Sequence, residues 1–212
     1  MILSDREIQA ALRRGAITIA PPPPDLWAEP PPGQKSPWSS TTLDLRLDKE
    51  LTIWKRKKAR SNIQFEPPDD PNFDFDYLRD KYAERFLIST QGYPLPPGGF
   101  VLGWTLERIQ LTAMSRLAAR VEGKSSLARL GIGIHVTAPT IHAGFGMKRD
   151  DPSYVGSQIR LEIFHHGEYP VKLKAGMKIC QLVFEEVHGM PDKGYEYAGR
   201  FAVQGAQPLP PS

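Results

Sequence analysis

Hydrophobic and polar residues alternate differently in the two halves of the chain. Near the start, Ser4-Asp5-Arg6-Glu7 forms a capping box, in which the Ser4 hydroxyl accepts from the Glu7 amide and the Glu7 carboxylate reaches back. Ile8, Ala11 and Leu12 then share one helical face, and Gly15 supplies the stop, so a short N-terminal helix is predicted. After Gly98 the pattern becomes short apolar or alternating runs punctuated by glycine and proline, the mark of an all-β sandwich or barrel. Strands are predicted over Phe100–Thr105, Leu117–Glu122, Ile132–Ala138, Gln158–Phe164, Val171–Leu173 and Lys178–Glu185. In Gln158–Phe164, Ile159, Leu161 and Ile163 point one way while Arg160 and Glu162 point the other. Glu162 is thus expected opposite the aliphatic face.

Between these regions lie two proline-rich stretches. From Ala20 to Pro37, Pro21–Pro24 and Pro30–Pro32 remove backbone donors and favour an extended loop or arm. A second irregular stretch, residues 61–86, carries Pro67, Pro68, Pro71 and several acids, with one short helix expected near Tyr77–Arg85. Both read as insertions on the surface of one domain spanning residues 1–212. That length suffices for a substantial core, and 21 prolines is roughly twice the average usage.

Composition narrows the function classes. No apolar run reaches the roughly 20 residues that span a bilayer, and the N-terminus reads as a charged helix, so a cytoplasmic protein without a membrane partner is expected. The single cysteine, Cys180, forbids an internal disulfide and reads as a buried strand residue. A net charge of +3 is too mild to argue for a nucleic-acid partner. The one basic run, Lys55, Arg56, Lys57, Lys58 and Arg60, reads as a solvated loop.

The densest chemical signal is Glu122-Gly123-Lys124-Ser125-Ser126-Leu127-Ala128-Arg129-Leu130-Gly131. Such a turn can offer amides, hydroxyls and cations to a polyphosphate, though its glycine spacing is not that of a Walker A loop. By composition alone such a stretch is more often a plain serine-rich turn. This decapeptide closely resembles the second signature of the dCTP deaminase and dUTP diphosphatase superfamily. The resemblance continues through Ser4-Asp5-Arg6, Thr42–Leu47, His135-Val136-Thr137-Ala138, the region around Leu161-Glu162, Leu173–Met177, and Arg200-Phe201 with Gln204.

The resemblance implies a mainly β, distorted jelly-roll or barrel of the dUTPase-like type, with the short N-terminal helix and long proline-rich insertions added. It implies a homotrimer with nucleotide sites at subunit interfaces and a mobile C-terminal segment, residues 190–212, closing over the ligand. Glu162 then resembles the general base that takes a proton from water for attack on C4 of cytosine, which requires a carboxylate held beside that water. Ser125 and the Ala138 carbonyl resemble the groups that position the water. Arg129 resembles the cation that steadies charge developing on the ring. Lys124, Ser126, Arg200 and Gln204 resemble triphosphate ligands, helped by Mg2+ on the phosphates, with Leu127, Ala128, His142, Arg160 and Leu161 lining the nucleotide. One of Tyr195 and Tyr197 is expected to pack against it. Zinc is not expected: His166-Gly167-Glu168 spells the H-x-E of zinc deaminases, but the sequence contains no P-C-x-x-C.

Four departures matter. His142 stands where diphosphatase and bifunctional members carry an aspartate. Lys124 replaces the more usual arginine, giving up a bidentate fork for a point charge. An insertion, residues 146–157, sits beside the expected pocket and reads either as a lid or as a surface excursion. The C-terminus also lacks the glycine-rich arginine and phenylalanine motif of typical diphosphatases. Deamination of dCTP to dUTP is therefore the leading expectation, followed by a dUTP diphosphatase or bifunctional enzyme and then by a non-catalytic nucleotide-binding module.

Overall fold

A computed structural model describes residues 1–55, 64–134, 138–151, 153–199 and 204–205. The N-terminal helix α1 (Asp5–Arg13) forms as the sequence predicts: the Ser4 side chain caps it, accepting from the Glu7 amide at 3.4 Å. Ile8 and Ala11 are fully buried, and Gly15 leaves the helix at a φ of +72° that a side chain would resist. The next four residues form β1 (Ile17–Ala20), with Ile17 and Ile19 buried.

The remaining strands are β2 (Thr42–Trp54), β3 (Ala83–Leu87), β4 (Tyr93–Leu95), β5 (Phe100–Leu111), β6 (Leu117–Gly123), β7 (Ile132–Ile134), β8 (Thr140–Ile141), β9 (Ser157–His165), β10 (Val171–Leu173) and β11 (Lys178–Glu186). Nine strands form one sheet in the order β7-β9-β5-β2-β11-β6-β8, with β1 added to β5 and β3 to β2, while β10 pairs β4. Register shifts between Leu47 and Leu51, Trp104 and Arg108, and Lys178 and Cys180 bend the long strands. The sheet therefore curls into a half-barrel around Leu45, Leu47, Leu51, Ile109, Leu161, Ile163, Leu182 and Phe184. Cys180 is buried in β11, and burial pushes its thiol far above the usual range.

Five of the six predicted strands form, several of them longer than expected. Of predicted Ile132–Ala138, only Ile132–Ile134 is strand; residues 135–137 lie outside the described residues and Ala138 is in a bend. The helix expected near Tyr77–Arg85 is α2 (Phe75–Tyr82), earlier because Asp74 caps it by accepting from the Tyr77 amide at 2.9 Å. The last residues of the acidic stretch form β3 against β2. Of the basic run only Lys55 lies among the described residues. No described helix is long and apolar enough to cross a membrane.

Candidate active site

Strand β9 sorts its side chains by alternation: Ile159, Leu161 and Ile163 enter the core, while Arg160 and Glu162 project from the opposite face. That face floors a cleft of about 1490 Å³. Trp104 lies directly across from Arg160 on β5. The Arg160 guanidinium stacks on the Trp104 ring at 4.2 Å and donates from Nη2 to Thr52 Oγ1 at 2.7 Å. Burial lowers the Arg160 guanidinium to about 10, against support from the Glu50 and Glu162 carboxylates, so it stays charged at neutral pH. Glu50, itself buried, is held by Arg85 Nε at 2.6 Å.

Among the described residues, four other sequence candidates line the same cleft: Ala138, His142, Tyr195 and Gln204. Helix α4 (Tyr195–Ala198) starts where the Tyr195 amide donates to the Ala143 carbonyl at 2.8 Å, and the Tyr195 ring stacks on His142 at 5.0 Å and 20°. Gly144 makes room for this turn: at φ +91°, a Cβ there would sit 1.9 Å from Glu196 Oε2. Gln204 bonds the start of β9, donating to Ser157 Oγ at 3.1 Å and accepting from the Gln158 amide at 3.2 Å. Of the two candidate tyrosines, Tyr195 faces the cleft; Tyr197 is exposed, with Arg149 over its ring.

The serine-rich turn is elsewhere. Ser125–Ala128 forms the four-residue helix α3 at the end of β6, anchored by the buried Leu127. Ser125, Ser126, Ala128 and Arg129 are exposed. Lys124 does not point freely outward: its ammonium pairs with Asp44, which also holds Lys178 Nζ at 3.3 Å. Arg129 borders a second hollow of about 690 Å³ with Glu168, Tyr169 and Lys172, and no described residue lines both cavities. Neither Ser125 nor Arg129 is among the described residues that line the Glu162 cleft. The two regions are joined behind the surface by buried His165 on β9, whose Nε2 lies 3.1 Å from the Leu130 carbonyl oxygen.

Leu161, a nucleotide-lining candidate in the sequence, is fully buried in the core, because it occupies the inward position of the alternation that exposes Glu162. Arg200 lies outside the described residues, as do His135, Val136 and Thr137. Sequence reasoning missed Thr52, Trp104 and the Glu50–Arg85 pair, and it missed the wall contributed by Asn72, Asp74, Asp76 and Asp80. Alternation along β5 carried a signal for Trp104, whereas nothing local announces that the acidic stretch folds back onto the cleft.

A family model described as dCTP deaminase-like matches residues 2–187. A dCTP deaminase of Natronomonas pharaonis is 35% identical over 214 residues, covering 98% of this chain and 94% of that protein. A protein of Methanothermobacter thermautotrophicus named dCTP deaminase, dUMP-forming, is 34% identical, covering 96% of this chain and 91% of its own length. Among solved structures, a 2'-deoxycytidine 5'-triphosphate deaminase from Agrobacterium tumefaciens superposes with a TM-score of 0.54 at 21% identity; the match takes in 88% of this chain but 48% of that one, and shows likeness of fold. With a matching model over most of its length and relatives above 30% identity from end to end, this chain belongs to the dCTP deaminase-like family.

Proposed function

We propose that this protein hydrolyses dCTP to dUTP and ammonia, with Glu162 as the general base. The observation that carries the reading is the place of Glu162: outward on a strand fixed by neighbours on both sides, in a cleft it shares with Arg160, Ala138, His142, Tyr195 and Gln204. Glu162 takes a proton from water, the resulting hydroxide attacks C4 of the pyrimidine, and the proton passes to the departing amine, which leaves as ammonia. A base held on a rigid strand keeps the attacking water in place without reorganisation.

The lining charges indicate which end of the nucleotide enters. Among the described lining residues, six carboxylates (Glu50, Asp74, Asp76, Asp80, Glu84 and Glu162) face three guanidiniums (Arg79, Arg85 and Arg160), an environment that suits a pyrimidine better than a triphosphate. The phosphates, carrying Mg2+, belong instead with Ser126 on the exposed serine-rich turn, while Ser125 is assigned to the attacking water and Arg129 to the charge developing on the ring. Because one chain keeps these groups apart from Glu162, the complete site is assembled from two copies, and a cytoplasmic homotrimer is the assembly proposed. The zinc-free reading is supported by donor chemistry: the one cysteine is buried with its thiol held protonated, a poor metal ligand.

Incubation of the purified protein with dCTP and Mg2+ should release ammonia and a uracil nucleotide. Glu162→Gln should reduce turnover by about 10²–10⁴-fold while nucleotide binding by calorimetry persists. Full turnover in Glu162→Gln would remove it as the base. A second reading, release of dUMP and pyrophosphate, is favoured by the name of the Methanothermobacter relative. His142, stacked on Tyr195 at the cleft, is the residue on which it turns. Pyrophosphate from dUTP would establish it, and its absence would leave deamination alone.

A further inference from the structure

The insertion at residues 146–157 is built onto the sheet at both ends. Gly146 and Gly156, at φ +74° and +70°, press against the same carbonyl of β5: a Cβ at either would come within 2.0 and 2.7 Å of the Ile109 oxygen. Arg108 Nη1 donates to the Gly156 carbonyl at 3.1 Å. Within the loop, the Asp151 carboxylate accepts from the Ser153 amide at 3.1 Å and hydroxyl at 2.6 Å, and Lys148 lies 3.6 Å away. These bonds hold the Asp151 carboxyl below its usual range, with the Ser153 hydroxyl as the main cause.

From this base the loop touches the C-terminal segment twice. The exposed Arg149 guanidinium stands 4.9 Å over the Tyr197 ring. Tyr154 Oη lies 3.1 Å from Ser157 Oγ, the same oxygen that accepts from the Gln204 amide at 3.1 Å. Tyr197 and Gln204 belong to the segment that brings Tyr195 and Gln204 to the cleft. We infer that the insertion is a clamp on this segment: Arg149 is a positioning residue which, through Tyr197, holds Tyr195 against the nucleotide, while Tyr154, through Ser157, holds Gln204. Arg149 does not line the cleft and needs no contact with substrate. Its effect is on the closed state of the segment, and so on substrate retention rather than on the chemical step.

The inference rests on the cleft being the nucleotide site only in its kinetic arm. An exposed cation–aromatic contact is worth about a two- to fivefold shift in such an equilibrium. Arg149→Ala should therefore raise KM for dCTP by about that factor with kcat changed less, and should speed amide exchange of residues 195–199 to the same extent. Arg149→Lys, which keeps a cation over the ring, should restore both. Tyr197→Leu should match Arg149→Ala, and the double variant should be no worse than either single change, because both remove one contact. Tyr154→Phe should speed exchange of the Gln204 amide. Unchanged exchange in Arg149→Ala, or two independent losses in the double variant, would overturn the clamp. Exchange needs no turnover: a protein that failed to deaminate dCTP would still test the clamp, and turnover without any exchange effect would sink the clamp alone.

Discussion

The Glu162 cleft and the serine-rich turn, which the proposed function joins in one chemistry, stand on opposite kinds of support. Glu162 sits on a nine-residue strand paired on both sides, with fully buried Leu161 and Ile163 as its neighbours. The turn is a four-residue helix with one buried anchor, Leu127, and its hydroxyls face solvent. A base that must hold one water needs the rigid support, while hydroxyls that meet a ligand across a docking surface need to be exposed. The difference teaches that, under the proposed function, the exposed turn is one half of a site rather than a flexible loop.

Substitutions on the two supports should separate along the same line. After Glu162→Gln, the largest effect on activity is expected at Arg129: truncation to alanine should cost about 10²–10³ in kcat, the scale for removing a preorganised charge partner. Its melting temperature should hardly move, since exposed substitutions alter stability by about 0.5 kcal/mol or less. Leu161→Ala should do the reverse, losing about 2–5 kcal/mol of stability in denaturant melts. The surviving folded fraction should still bind nucleotide, because the Leu161 side chain faces the core. The smallest effect belongs to Ser126→Ala, with unchanged melting and a weaker affinity for the triphosphate, of about 1 kcal/mol by calorimetry. A Leu161→Ala protein of normal stability, or an Arg129→Ala protein that melts early, would break the contrast.

Much of this was legible in the sequence, for identifiable reasons. The Ser4 cap, the Gly15 stop and the alternation of Gln158–Phe164 are local signals, and each produced the expected element. Strand β1 escaped because it is four residues long and runs straight into the proline-rich stretch. Strand β3 escaped because its outward Glu84 and Arg85 are polar and it follows a run of acids and prolines. Of the site, Glu162 could be placed on its face from periodicity alone. Its separation from Ser125 could not, because residues 128–131 border a separate hollow before β7 returns to pair with β9. The role of the acidic stretch as a cleft wall depends on β3 pairing with β2, a long-range contact with no local trace.

Separate cavities in one chain make a prediction that no single-chain site would share. Ser125→Ala and Glu162→Gln, each inactive alone, should be unfolded together, refolded as a mixture and assayed for ammonia release from dCTP. If each site takes its serine from one copy and its glutamate from another, mixed assemblies should recover roughly a quarter of the wild-type rate. No recovery, with hybrid assemblies demonstrated by native mass spectrometry, would mean that Ser125 and Glu162 do not act across an interface.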